Sequence, residues 1–245
     1  MNKKEWFGEW FDSPYYHILY RHRDNKEAQH FIGNLIEHLA PNQDAKILDL
    51  ACGKGRHSIY LNKIGLNVEG VDLSKQNIAM AKPFENSRLK FSVHDMREVY
   101  KSNHFDLILN LFTSFGYFDT KEEHAQAIKA IAQSLQPGGK FLIDFLNPYV
   151  VVNNLVSAET KEIDGVKFVI SRRFENDFII KDIHIEDKGE KLLFQERVKA
   201  IRRTEFLSYF EAAGLSVLDR FGNYELGSYE KEKSERLIFL TQKVS

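Results

Sequence analysis

With 245 residues, 43% of them hydrophobic, the chain is long enough for one sizeable core, or one core with an appended piece. A formal net charge of -1 lacks the basic footprint of a nucleic-acid binder, and one cysteine, Cys52, excludes an intramolecular disulfide and suits a cytoplasmic protein. No apolar run reaches the length of a membrane span, and Met1 to Trp6 lacks the apolar core of a secretory signal.

Residues 5–23 are unusually aromatic, with Trp6, Phe7, Trp10, Phe11, Tyr15, Tyr16 and Tyr20. Asp12-Ser13-Pro14 within them reads as a turn or a helix start. The rings either pack onto the domain or form a lid, with Tyr15, Tyr16, Tyr20 and Arg21 facing a ligand. Asp24 to Leu39 reads as a helix, since Ala28, Phe31, Ile32, Leu35, Ile36 and Leu39 recur at helical spacing. Asp24 suits its N-cap and Pro41 its end. His30 and His38 lie about two turns apart on it, too far to share a metal.

Lys46 to Leu50 is a short apolar run suited to a strand of a parallel sheet. Gly53-Lys54-Gly55 then turns the chain into an amphipathic run, Ser58 to Ile64. Strand, Gly-rich turn and helix form a nucleotide-binding arrangement, in which the glycines admit a ligand close to the backbone. A dinucleotide turn prefers a third glycine where Ser58 stands. Asp49, four residues before Gly53, would repel a pyrophosphate and attract an ammonium or sulfonium group.

Asn67 to Asp72 follows at the distance a βαβ unit requires. Its last residue, Asp72, is placed to accept from both ribose hydroxyls of an adenosine ligand, with Leu73 beside the adenine face. Ser74 caps the next helix, Lys75 to Ala81, and Pro83 closes it. Leu89 to Val93 is a third strand leading to Asp95, which is either a ligand acceptor or a cap for the Arg97–Tyr100 turn. His104 to Asn110 is a fourth strand. Phe112, Phe115, Tyr117 and Phe118 after it either wall a cavity or cap the core. Thr120 to Leu135 reads as an amphipathic helix, stopped by Pro137-Gly138-Gly139 before the buried strand Lys140 to Phe145.

Beyond residue 148 the βα rhythm breaks. A short apolar segment, Val150 to Val156, precedes three alternating runs, Val166-Phe168-Ile170, Ile179-Ile183-Ile185 and Leu192-Phe194-Val198. Turn signals at Glu175-Asn176-Asp177 and Asp187-Lys188-Gly189 separate the runs, which reads as a small antiparallel sheet. Arg172, His184, Glu196 and Arg197 on it are either solvated or reach a pocket. Thr204 then caps a helix, Glu205 to Ala213, with Gly214 at its C-terminus. Leu215 to Phe221 and Arg236 to Thr241 are closing strands around a charged loop.

Leu48-Asp49-Leu50-Ala51-Cys52-Gly53-Lys54-Gly55 resembles the first motif of class I S-adenosylmethionine-dependent methyltransferases, in which Ala often replaces the first of three glycines. Asp72, Asp95 and Leu135-Gln136-Pro137-Gly138-Gly139 follow in that family's order. The resemblance covers about residues 46–145 and, through the closing strands, most of the chain. It implies an α/β fold, doubly wound, with a seven-stranded, mostly parallel sheet and an inserted antiparallel β-sheet. The domains expected are an N-terminal aromatic lid and helix (1–40), a Rossmann-like S-adenosylmethionine-binding domain (41–147 and 203–245), and an inserted substrate cover (148–202).

The resemblance further implies S-adenosyl-L-methionine as cofactor, while the near-neutral charge and the aromatic residues favour a small-molecule methyl acceptor over nucleic acid, and no membrane partner is expected. The cofactor residues it implies are Tyr20, Asp49, Ala51, Gly53, Gly55, Arg56, Asp72, Leu73, Asp95, Met96 and Asn110. Tyr15, Tyr16, Phe112, Phe115 and Arg197 are the substrate-pocket candidates. Tyr20 and Asn110 are candidates for catalysis, and His17 and Glu196 for a general base. No metal-ligand spacing stands out. Methyl transfer needs alignment and exclusion of water more than a catalytic group, so it leaves little signature. Two other readings stand beside it: a non-catalytic S-adenosylmethionine-binding regulator or partner, and an NAD-dependent oxidoreductase. The second has Tyr117-x-x-x-Lys121 in its favour, but that pair falls too early in the chain.

Overall fold

The computed structural model describes residues 6–20 and 25–244. Arg21 and the expected cap Asp24 lie outside them. Five parallel strands form the centre: β1 (Lys46–Leu50), β2 (Asn67–Asp72), β3 (Leu89–Val93), β4 (Phe105–Asn110) and β5 (Leu135–Leu146). β10 (Leu215–Phe221) and β11 (Arg236–Lys243) close the sheet antiparallel, giving the order β10-β11-β5-β4-β1-β2-β3. The strand order reverses between β1 and β4, so the crevice for a ligand lies beyond their C-terminal ends.

Both faces of this sheet are covered, which is why β1 is apolar at successive positions. Leu48 and Leu50 face a core with Ile108, Phe141 and Phe206, whereas Ile47 faces Phe31, Leu35 and Leu61 on the other side. The helices fall largely where the periodicity puts them: α3 (Asn25–Leu39), α4 (Arg56–Lys63), α5 (Lys75–Ala81) and α6 (Lys121–Ser134). Ser74 caps α5 through its Oγ, which accepts from the Asn77 amide at 3.0 Å. The Pro-Gly-Gly return needs its second glycine, since a Cβ on Gly139 would lie 2.9 Å from two carbonyl oxygens, of Gln136 and Phe105.

The antiparallel sheet has four strands, β6 (Ala158–Ile163), β7 (Val166–Glu175), β8 (Phe178–Asp187) and β9 (Glu190–Lys199). Three of them match the alternating runs. β6 escaped the pattern because it is a solvent-washed edge strand, Ala-Glu-Thr-Lys-Glu-Ile, with no buried side. The segment before it is a short helix, α7 (Pro148–Asn153), whose N-cap Asn147 accepts from the Tyr149 amide at 3.2 Å. Thr204 does not cap α8 (Arg203–Ala212). The helix starts earlier because the Glu205 carboxylate reaches back to the Arg202 amide at 3.0 Å.

The aromatic N-terminal stretch forms two short helices, α1 (Trp6–Phe11) and α2 (Pro14–Leu19), with Ser13 capping the second. Trp10, without solvent exposure, packs with Leu19 against Phe168, Ile170 and Ile183 of the antiparallel sheet. Among the described residues, no helix is long and apolar enough to cross a membrane.

Candidate active site

A cavity of about 500 Å³ opens at the C-terminal ends of β1, β2 and β4. Its floor is the turn after β1. Ala51, Gly53 and Gly55 there all take left-handed backbone, at φ 63°, 56° and 79°. Gly53 faces open space, whereas a Cβ on Gly55 would meet the Phe91 ring at 2.6 Å. Gly53 therefore presents bare backbone to the cavity, and Gly55 sits behind the wall. Cys52 is buried with its thiol pushed well up by burial, which leaves it inert.

Two carboxylates flank the turn. Asp49 is buried at the end of β1 and accepts from the Ser58 hydroxyl at 2.5 Å. Burial raises its carboxyl to about 6, Asp72 adds to the rise, and Ser58 opposes it. Asp72 accepts from the amide of Gly53 at 2.8 Å and from that of Ser74 at 2.9 Å, one per oxygen. The Asn77 side chain also hydrogen-bonds this carboxylate. Burial raises the Asp72 carboxyl too.

Asp95 and Met96 border the same cavity. Asp95 also makes the local turn, since it accepts from the Arg97 amide at 2.9 Å and from the Arg97 guanidinium at 2.6 Å. Burial would raise the Asp95 carboxyl, and Arg97 outweighs it and holds it below the usual carboxylate range. The Arg97 guanidinium lies 5.0 Å from the centre of the Phe118 ring.

On the facing wall, Arg56 donates to His57 Nε2 at 2.9 Å, and His57 stacks on Phe112 at 4.7 Å. Burial and the Arg56 charge push His57 down to about 3, so its imidazole is neutral at pH 7. Phe11, Tyr16, His17 and Tyr20 of the N-terminal helices roof the cavity with Tyr117 and Phe118. His17 Nε2 is buried with no protein partner. Burial and then Lys54 lower the His17 pKa, against Asp12.

Of the residues singled out in the sequence, Tyr16, Tyr20, Asp49, Ala51, Gly53, Arg56, Asp72, Leu73, Asp95, Met96, Phe112 and Phe115 come together here. Gly55, Tyr15, Asn110, Glu196 and Arg197 do not line the cavity. Asn110 is sealed in the sheet, where its Nδ2 donates to the Leu50 carbonyl at 3.0 Å and ties β4 to β1. Tyr15 donates to Asp187 at 3.1 Å, and Arg197 pairs with Asp119 at 3.0 Å. Tyr20 lines the cavity, and its hydroxyl donates to Glu196 at 2.6 Å. Sequence reasoning missed Phe11, Lys54, His57 and Ser114. His57 was within reach of it, because it lies in the first turn of the helix that the glycines open. No group of His, Cys, Asp and Glu side chains among the described residues is arranged to hold a metal.

Residues 47–139 match a family model described as a methyltransferase domain. The dTDP-3-amino-3,4,6-trideoxy-alpha-D-glucopyranose N,N-dimethyltransferase of Streptomyces venezuelae is 28% identical over 213 residues, 82% of this chain and 89% of that protein. Among solved structures, an S-adenosylmethionine-dependent methyltransferase from Clostridium acetobutylicum superposes with a TM-score of 0.79 at 22% identity, over 94% of this chain and 96% of the other. CalS10, an amino pentose methyltransferase from Micromonospora echinaspora solved with S-adenosylmethionine bound, superposes with a TM-score of 0.71 at 19% identity, over 94% and 97%.

Proposed function

We propose an amine of a small molecule, an amino sugar foremost, as the methyl acceptor of this chain, which belongs to the class I S-adenosylmethionine-dependent methyltransferases. As a methyltransferase of that family it is an enzyme that uses S-adenosylmethionine, which sets aside the non-catalytic and nicotinamide-dependent readings.

The cavity suits that cofactor in its own chemistry. Two carboxylates, Asp49 and Asp72, stand beside a bare glycine turn, an acceptor set that repels phosphate and favours a cationic ligand carrying ribose hydroxyls. When bound, S-adenosylmethionine supplies a methyl group on a positively charged sulfur. In this reading Asp72 accepts from the ribose, Asp49 faces positive charge, and Asp95 with Met96 borders the adenine. The aromatic roof excludes water from the reacting end. In the same reading residues 41–147 and 203–244 serve as the binding domain, and Phe11, Tyr16, His17 and Tyr20 supply its roof.

An amine must be neutral to attack. His17 Nε2 is buried without a protein partner, as is Asn77 Oδ1 in the same cavity, and of the two the imidazole, its pKa lowered by burial and then by Lys54, is the base. In this reading it receives the N–H proton of an acceptor amine. The observation that carries the acceptor class is the likeness to the amino-sugar N,N-dimethyltransferase across 89% of that protein.

The test is a panel of acceptors with purified protein and S-adenosylmethionine, followed by release of S-adenosylhomocysteine. It contains a nucleotide-linked amino sugar, the matching hydroxy sugar, and glycine. Turnover of the amino sugar alone is expected. Turnover of the hydroxy sugar with none of either amine would overturn the reading.

A further inference from the structure

The antiparallel sheet contributes no residue to the cavity wall, yet the roof of the cavity hangs from it. Residues 10–20 cross the opening as a strap with anchors on both sides. On one side Asp12 accepts the Ser74 hydroxyl, two residues from Asp72. On the other, a single carboxylate oxygen of Glu196, on β9, accepts from Trp10 Nε1 at 2.7 Å and from the Tyr20 hydroxyl at 2.6 Å. Lys181, on β8, completes the cluster. Its Nζ lies 3.5 Å from the second Glu196 oxygen, donates to the Tyr20 hydroxyl, and sits 4.6 Å from the centre of the Tyr20 ring.

We propose that Glu196 and Lys181 are positioning residues that latch the strap over the cofactor cavity, so that the antiparallel sheet sets cofactor affinity without touching the cofactor. The inference rests on the cofactor assignment and is independent of the acceptor.

Three observations carry it. Both side chains are largely withdrawn from water, at 16% exposure for Glu196 and 12% for Lys181. A charge so placed is retained only with a partner, and each supplies the other's. The two donors that Glu196 receives come from the ends of the strap, and Tyr20 also lines the cavity. Loss of the carboxylate removes the acceptor that Trp10 Nε1 and the Tyr20 hydroxyl share. The far anchor, Asp12 on Ser74, borders the turn that holds Asp72. Seating of the strap and filling of the Asp72 end are therefore mechanically joined.

The experiment compares the full chain with Glu196→Ala, Tyr20→Phe and the double variant. The readouts are amide hydrogen exchange over residues 10–20, with and without S-adenosylhomocysteine, and the dissociation constant of that ligand by calorimetry. Exchange in the ligand-free single variants should accelerate in residues 10–20 and stay unchanged in β1 and β4. The dissociation constant should rise about tenfold, and Tyr20→Phe should add little once Glu196 is gone. Glu196→Gln, which keeps an acceptor for Trp10 and Tyr20, should restore most of the affinity. Tyr20→Phe keeps the ring and decides the matter should Glu196→Ala not fold. Unchanged exchange and affinity in the folded variants would overturn the latch. Failure of the unmodified chain to bind S-adenosylhomocysteine would overturn the cofactor assignment instead, and the ligand-free exchange would still report on the strap.

Discussion

The carboxylate of Asp144, sealed from solvent at the end of β5, accepts the Nε–H of Arg236 at 2.7 Å. The same carboxylate accepts from the Phe112 amide at 2.7 Å, and the Arg236 guanidinium donates to Thr113 Oγ1 at 2.9 Å. Phe112 and Thr113 both hold left-handed backbone, at φ 57° and 59°, which non-glycine residues adopt at a cost. The pair thus fixes the turn after β4 that carries Phe112 to its stack on His57. Arg236→Gln leaves a buried carboxylate short of its counter-ion. We expect a loss of about 3–5 kcal/mol in urea unfolding. Stability within about 1 kcal/mol of the unmodified chain would show that the turn holds itself.

Asp49 gives the ligand-free protein a dependence on pH with a definite sign. Its folded carboxyl sits at about 6 against an ordinary 3.8, so between those values the folded state binds the proton that the unfolded state has released. Stability is fully favoured below about 3.8, falls as pH rises toward 6, and is flat beyond. The loss is on the order of 3 kcal/mol at neutral pH. Asp49→Asn should therefore stabilise the free protein at pH 7 and flatten this slope. It should also weaken S-adenosylmethionine binding, since the cation loses its carboxylate. Calorimetry should show affinity of the unmodified chain rising from pH 5 to 7 with proton release. An affinity that stays level over that range would remove Asp49 from the cation's surroundings.

The two glycines of the turn separate folding from binding. Gly55→Ala drives a Cβ to 2.6 Å from the Phe91 ring at φ 79°, and should cost about 2 kcal/mol of stability. Gly53→Ala meets no atom within 4 Å, so its cost is that of left-handed backbone alone, about 1 kcal/mol. Its methyl instead intrudes on the cavity and should weaken S-adenosylhomocysteine binding more than Gly55→Ala does. Thermal unfolding and calorimetry on the same samples separate the two effects, and the reverse ranking would contradict the assignment of Gly53 to the wall.

What was legible in the sequence obeys local rules. The apolar run of β1, the Gly53–Gly55 turn, Asp72 at the end of β2 and Pro137 to Gly139 each declare themselves within a few residues, because strand burial, left-handed backbone and helix stops are short-range constraints. The edge strand β6 has no buried side and so no pattern. α8 begins at Arg203 because Glu205 caps Arg202 from inside, where a Ser or Thr rule favours Thr204. The site features that went unread depend on chain folded back from afar. Asp144 meets Arg236 across 92 residues, Tyr20 meets Glu196 across 176, and Asn110 spends its amide on β1. Polar residues on a strand look alike in sequence whether they face a ligand, water or a distant tyrosine.

His17 offers a test of the acceptor chemistry apart from cofactor binding. Its Nε2 is buried without a protein partner, and burial, reinforced by the Lys54 charge, lowers its pKa below the ordinary 6.5. A base of that kind is deprotonated at neutral pH and is lost only as pH falls through its lowered pKa. The rate of amine methylation should then carry an acidic limb below pH 6.5. Lys54→Met removes a charge that depresses His17, so the limb should move upward. His17→Ala should lower kcat/KM for the amine by about 100-fold and abolish that limb. Its affinity for S-adenosylhomocysteine should change far less, because Asp49, Asp72 and the Gly53 backbone are untouched. A His17→Ala enzyme with an unaltered pH–rate profile would exclude His17 as the proton acceptor and leave the amine to lose its proton to solvent.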